Sequence, residues 1–199
     1  MSSQPASPVV RPLSEADIER LVMLNRAAVP AVNDIGEAEM RTLVAQATLA
    51  TAVVAPAHPD PAHPDPAHPD PAHPDAVLGF VLALPPGVDY ASENYRWFSE
   101  RAASAADGDA RFLYVDRIVV AEGQRSAGLG AVLYDAVFAA AREAGATEVD
   151  CEVNVEPPNP GSLAFHARLG FREVGRQATK GGTVVVALLA ADPRESDRG

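Results

Sequence analysis

The stretch Phe112-Leu-Tyr-Val-Asp-Arg-Ile-Val-Val120, Ala121-Glu-Gly-Gln-Arg-Ser-Ala127, Gly128-Leu-Gly130 reads as an apolar strand, a short polar loop and a helix start marked by glycines. The helix that follows carries Leu129, Val132, Leu133, Ala136, Val137 and Ala140 at the spacing of one face, the stripe of a helix packed on a sheet. Gly145 supplies its stop. Where a strand gives way to a helix through glycines, backbone N–H groups stand exposed at the positive end of the helix dipole, which suits a phosphate. Glycine at 128 and 130 lets the chain bend and a ligand approach with no Cβ in the way.

Working outward, the same patterning continues on both sides. Val9–Leu13 predicts a short edge strand, since Pro12 cannot donate to a central ladder. Ser14 and Asp17 mark a helix start, Ile18, Leu21, Val22 and Asn25 continue it, and Pro30 stops it. A second helix is expected over Glu37–Ala47 with Met40, Leu43 and Val44 inward, then strands over Thr48–Ala55 and Val77–Leu84. Glu148–Asn154 predicts a further strand, Asn159-Pro160 the cap and first position of a helix, and Phe171–Gln177 and Thr183–Leu189 two closing strands. The order β-α-α-β-β-α-β-α-β-α-β-β calls for a mixed α/β (α+β) sheet with helices on both faces.

At 199 residues, 47% hydrophobic and 22% charged, the chain suits one packed domain over 1–199 with a polar tail over 191–199 expected to be flexible. With 16 basic and 27 acidic side chains and a net charge of −11, it lacks the clustered Lys and Arg that nucleic-acid binding requires. The expectation is no nucleic-acid partner. No apolar run has the length of a membrane span, and Met1-Ser-Ser-Gln-Pro5 has neither the basic start nor the apolar core of a leader, so a cytoplasmic protein with no membrane partner is expected. The single cysteine, Cys151, excludes an intrachain disulfide.

Two segments carry unusual composition. Residues 56–75 hold four copies of an Ala-His-Pro-Asp unit, with His58, His63, His68 and His73 at a five-residue step. Recurring proline excludes helix and ladder, so the segment is expected to be a disordered insertion at a hairpin tip, where loop length costs little. The step does not match the three-residue turn of polyproline II, and no metal ligand set is assigned to it. Between Pro85 and Phe98 stand Tyr90, Tyr95, Trp97 and Phe98, with Ser92 as the cap of a helix. They anchor that helix in the core or form the acceptor side of a cleft.

Three motifs taken together resemble the Gcn5-related N-acetyltransferase (GNAT) superfamily: Arg125-Ser-Ala-Gly128-Leu-Gly130 after a strand, Asn159-Pro-Gly-Ser162-Leu-Ala-Phe165, and Leu169-Gly170-Phe171. The wording Cys151-Glu-Val-Asn154 with Pro157-Pro-Asn-Pro160 is also similar to a bacterial branch of predicted acetyltransferases. The resemblance implies a central, mostly antiparallel sheet of about seven strands, with the fourth and fifth parallel and splayed around acetyl-CoA as cosubstrate. It implies that Arg125, Ser126, Ala127, Gly128, Leu129, Gly130 and Ala131 hold the pyrophosphate. Ile118, Val119 and Val120 would receive the pantetheine arm, and Asn159, Ser162 and Phe165 would flank it. Homodimers are common among such proteins.

The implied reaction needs a neutral amine, an oxyanion donor and a proton for the departing thiolate. An alkyl ammonium, with a pKa of about 10.4, must first lose a proton. Asp116 and Glu152 are the candidate bases; a structural ion pair, for instance with Arg117, is the alternative reading of each. Alternation places Asp116 on one face with Tyr114 and Ile118, and Glu152 with Asn154. The oxyanion is expected at a backbone N–H near Val119 or Val120. His166 stands where the family commonly has tyrosine, and either donates to the thiolate or packs at the pocket end. Asn25, Tyr90, Tyr95, Trp97 and Asn154 are the candidate acceptor contacts.

Two rival functions stay open at this point. A dinucleotide site would use Gly128 and Gly130 with Asp150, although Leu133 occupies the third glycine position. A sensor would hold acyl-CoA without turnover.

Overall fold

The structure is a computed structural model and describes residues 8–55, 77–105, 111–125 and 127–195. Among these, β1 (Val9–Pro12), β2 (Leu49–Val54), β3 (Val77–Leu84), β4 (Phe112–Val120), β5 (Glu148–Glu156), β6 (Arg172–Thr179) and β7 (Val184–Ala191) form one sheet in the order β1-β2-β3-β4-β5-β7-β6. The helices are α1 (Ile18–Ala27), α2 (Glu37–Gln46), α3 (Glu93–Ala103), α4 (Leu129–Glu143) and α5 (Pro160–Arg168). All neighbours pair antiparallel except β4 and β5, which run parallel. The expected element order and sheet are therefore present.

Each face of the sheet carries its own core. On one, Ile18 and Leu21 of α1, Met40 and Leu43 of α2, and Tyr95 and Phe98 of α3 cover Phe80, Leu82, Phe112 and Tyr114. On the other, α4 lays Leu133, Tyr134, Val137 and Phe138 over Val81, Leu113, Val149 and Cys151. The buried stripe of α4 is thus turned toward Tyr134 and Phe138, while Val132, Ala136 and Ala140 are half-buried. The aromatic rings claim the deeper positions because they remove more apolar area from water than alanine does.

Local chemistry explains the element boundaries. Ser92 Oγ accepts the Tyr95 N–H and Asn159 Oδ1 accepts the Ser162 N–H, so both predicted caps close their helices. At the first helix Ser14 is the N-cap, as expected, and Asp17 of the first turn reaches back to it. A 3-10 turn (Glu15–Asp17) precedes α1, and Asp17 Oδ2 accepts both the N–H and the hydroxyl of Ser14 at 2.7 and 2.8 Å. The tail also begins later than expected, since Ala191 is buried in β7 and Pro193 O accepts a bond from Arg142. The histidine repeat lies outside the described residues; β2 and β3 on either side of it pair as a hairpin.

Asp17 makes a testable contribution to stability. Arg11 grips its carboxylate with two bonds, of 2.9 and 2.8 Å, and these bonds outweigh burial to hold the carboxyl at about 2 instead of 3.8. A depressed carboxylate stabilises the fold above its unfolded pKa and loses that stabilisation as pH falls toward the folded value. Asp17→Asn is expected to lower unfolding free energy by about 2 kcal/mol near neutral pH, with the deficit vanishing near pH 2. Urea denaturation at both pH values checks this; an equal deficit at both would assign the loss to packing.

Candidate active site

The site is built by a fork in the sheet. β4 bonds to β5 only over Phe112–Tyr114, opposite Glu148–Asp150. Beyond that point β4 stays paired with β3 up to Val120, and β5 stays paired with β7 up to Glu156. The two parallel strands therefore part, and the inner backbone edge of β4 from Val115 onward has no ladder partner on β5. Ile118, Val119 and Val120 lie along this opened stretch; Val119 packs into one core while Ile118 and Val120 pack against the other.

A bulge sharpens the fork. Leu82 pairs with Arg117 and Ala83 with Val115, which leaves Asp116 as an extra residue in β4. The bulge breaks the strict alternation expected of the strand. Before it, Phe112 and Tyr114 join the core under α1–α3; after it, Val119 does so and Ile118 turns to the opposite side. Asp116 and Ile118 therefore do not share a face in the simple way that period-two spacing predicts.

The turn into α4 has the shape its glycines call for. Gly128 caps the helix at φ +75° and ψ 2°, a left-handed conformation that costs a side-chain-bearing residue roughly 1 kcal/mol or more. Gly128 O takes the Ala131 and Val132 N–H groups at 3.0 and 3.3 Å, so the groups at the start of α4 with no carbonyl within the helix to bond are those of Leu129 and Gly130. At Gly130 a Cβ would stand 3.1 Å from Phe165 Cζ, so the missing side chain lets the α5 ring close over the start of α4. Arg125, Ala127 and Gly128 are exposed, Gly130 and Ala131 are half-buried, and Leu129 anchors the turn in the core. Ser126 lies outside the described residues.

A cavity of about 570 Å³ runs through the fork, lined by Asp116, Ile118, Glu152, Asn154, Asn159, Ser162 and His166 on the side of β4, β5 and α5. Thr42 and Gln46 of α2, the segment Asp89–Asn94, and Lys180 line the other side. Glu152 stands where the two sides meet. Its Oε2 accepts the Tyr114 hydroxyl at 2.7 Å. Burial pushes its carboxyl up to about 7; the Tyr114 bond works against that rise and the charge of Asp116 adds to it.

Asp116 is engaged differently. Its side chain is 4% exposed, its Oδ2 takes Arg117 Nε at 2.6 Å, and its Oδ1 takes the Tyr90 hydroxyl. Arg117 continues to Asn25 Oδ1 at 2.8 Å, and Asn25 donates to Asn33 O at 2.8 Å. The ion pair foreseen as an alternative thus belongs to Asp116. Burial and the carboxylate beside it keep the Tyr90 hydroxyl protonated, well above its usual range.

His166 is buried between helices. Nδ1 lies 2.7 Å from Ser162 O and Nε2 lies 2.7 Å from the Tyr134 hydroxyl. A carbonyl can only accept, so Nδ1 carries the proton and Nε2 accepts from tyrosine. Burial lowers the ring's pKa, so it is neutral near pH 7. Both nitrogens are occupied.

Three expected acceptor contacts fall away. Asn25 is 0% exposed and spends its amide on Arg117 and Asn33, so it lies beneath the wall. Tyr95 is a core anchor, its hydroxyl donating to Pro85 O at 2.8 Å and its ring packed edge-on to Phe112 and Tyr114. Trp97 lies over Gly175, where a Cβ would come within 2.6 Å of the indole, and so fastens α3 to β6. Tyr90 and Asn154 do line the cavity. Tyr114, Asn94 and Tyr134 were not anticipated; of these, Tyr114 carried a legible signal as a polar-tipped residue one strand away from Glu152.

The sequence matches the model of the acetyltransferase (GNAT) family over residues 66–171, more than half of the chain, and the chain belongs to that family. It is an acetyl-CoA-dependent acetyltransferase, with acetyl-CoA as cosubstrate. The fold is similar to that of Arabidopsis thaliana NAA60 in complex with a bisubstrate analogue, at 21% identity and a TM-score of 0.68, covering 94% of this chain and 98% of that one. Ard1 from Thermoplasma volcanium is similar at 15% identity, a TM-score of 0.65 and coverage of 94% and 99%. The ribosomal-protein-S18-alanine N-acetyltransferase from Escherichia coli follows at 13% identity, a TM-score of 0.60 and coverage of 94% and 94%. Comparison by sequence with curated proteins finds no match. Asp150, which a dinucleotide site would need on a ribose, is 1% exposed, and its Oδ1 has no hydrogen-bond partner among the described residues. That rival reading is set aside. Among the described residues no helix is long and apolar enough to cross a membrane.

Proposed function

We propose that this acetyltransferase moves the acetyl group to a primary amine of a small molecule or peptide, by direct attack in a ternary complex, with Glu152 as the general base. The observation that carries this reading is the position of Glu152 at the fork, inside the cavity and with its carboxyl near 7. A base of that strength is half ionised at neutral pH and still accepts a proton readily. Asp116 has both oxygens engaged, by Arg117 and Tyr90, and serves as the charge that raises Glu152.

In this reading the turn at Arg125–Ala131 holds the pyrophosphate through backbone N–H groups. The open edge of β4 at Ile118, Val119 and Val120 takes the pantetheine amides, and Asn159, Ser162 and Phe165 close over its thiol end. The amine enters from the side of Tyr90 and Thr42, with Asn154 facing it from β5. Glu152 takes one proton from the ammonium, directly or through water. The nitrogen then forms the C–N bond as the C–S bond breaks, and its second proton leaves with the sulfur as thiol. A backbone N–H near Val119 or Val120 meets the oxyanion. This balance needs no cationic acid, and His166 acts by fixing α5 to Tyr134. Glu39, Asp89 and Glu93 on the acceptor side, against Lys180, favour a cationic amine.

Thiol release from acetyl-CoA across a panel of amino acids, polyamines, aminoglycosides and peptides tests the reading. Release that depends on one amine class supports it. Tight acetyl-CoA binding with no release for any amine would make the protein a sensor instead.

A further inference from the structure

Tyr114 is the last residue of β4 bonded to β5, and its hydroxyl reaches past the point of the fork to Glu152 Oε2 at 2.7 Å. The ring cannot swing away. It is fully buried, with centroids 5.5 Å from Tyr95 and 5.9 Å from Phe98. From the first turn of α3, Asn94 lines the same cavity, its Oδ1 held by Gln177 Nε2 of β6 at 3.1 Å. The Tyr114 hydroxyl is thus a fixed donor aimed at one oxygen of the Glu152 carboxylate.

Resting on the assignment of Glu152 as the base, we propose that Tyr114 is a positioning residue that sets both the orientation and the proton affinity of Glu152. The hydroxyl donates to the ionised form and stabilises it, opposing burial. Other groups face Glu152 as well. Asp116, with Arg117 and Tyr90 bound to it, approaches from β4 and destabilises the charge. Asp150 lies two residues back along β5, and on β7 the partner opposite Glu152 is the apolar Leu188. Cys151, Tyr134 and neutral His166 stand toward α4 and α5, and Lys180 at the cavity rim. None of these donates a hydrogen bond to Glu152 as Tyr114 does.

The test is the pH profile of kcat/KM for the wild type, Tyr114→Phe and Glu152→Gln with one accepted amine. Phenylalanine keeps the ring in its aromatic cluster, and an unchanged melting curve and acetyl-CoA affinity verify that the fold is intact. Activity requires ionised Glu152, so loss of a donor raises its pKa and moves the acid limb upward. Tyr114→Phe is expected to shift that limb by about one pH unit, lowering the rate about fivefold near pH 7 and leaving it unchanged near pH 9. A Tyr114→Phe limb that stays in place, or a rate lowered equally at all pH values, overturns the inference while leaving the base assignment intact. If Glu152→Gln keeps the wild-type limb, the base assignment itself fails.

Discussion

Glu152→Gln lowers kcat by about a hundredfold to ten-thousandfold, the range associated with removing a general base. Glutamine keeps the size of the side chain and can still accept from Tyr114, so the cavity and acetyl-CoA affinity stay as they were. What disappears is the proton acceptor. An ammonium of pKa about 10.4 holds only about one part in a few thousand as free amine near pH 7, so the reaction then depends on that fraction. The variant's rate should therefore rise with pH up to the amine's own pKa, with no limb near 7. Carboxylate burial adds a second consequence, on stability. Glu152 is raised in the fold from 4.5 to about 7. A raised carboxylate stabilises the fold when protonated, and that contribution is lost as pH climbs through the folded value. Glutamine is neutral at every pH, so the variant should gain stability relative to the wild type above pH 7. Denaturation midpoints at about pH 4 and about pH 9, on either side of the two pKa values, check this. A variant that keeps the wild-type rate would remove Glu152 from the chemistry.

Gly130→Asp weakens acetyl-CoA binding by about a hundredfold or more. The new carboxylate would sit in the first turn of α4, where the N–H groups and the dipole otherwise attract a phosphate. Loss of two hydrogen bonds to a charged group, at about 1.5–3 kcal/mol each, is enough for that effect. Sterics act in the same direction, because any Cβ at 130 would meet Phe165 Cζ at 3.1 Å. Gly130→Ala separates the two contributions. It should cost only a few fold, through displacement of the Phe165 ring. Calorimetric titration with acetyl-CoA reads both variants, and an aspartate variant that binds like the wild type would show that the pyrophosphate lies elsewhere.

The fold was legible because its signals are local. Ser92, Asn159 and Pro160 mark helix starts by their own chemistry, and the glycines at 128 and 130 mark the turn into α4. The features that sequence reading missed depend on distant partners. The bulge at Asp116 is set by pairing with β3, and the β4 sequence, apolar on both sides of Asp116-Arg117, carries no sign of the reversed alternation. Asn25 looks like a free polar residue at a helix end until Arg117, 92 positions away, takes its oxygen. Tyr95 and Trp97 look alike in composition to Tyr90, yet Pro85 O and Gly175 draw them inward while Tyr90 reaches the cavity. Glu152 was legible as a candidate base. Its proposed preference over Asp116 was not, since that rests on which carboxylate Arg117 pairs with.

Direct attack within a ternary complex is tested by mixing the protein, in excess, with acetyl-CoA before any amine is present. The account predicts no thiol release until the amine is added, then one acetylated amine for each thiol released, with both events slowed together in Glu152→Gln. A burst of thiol before the amine arrives, with the acetyl group carried on the protein, would contradict it.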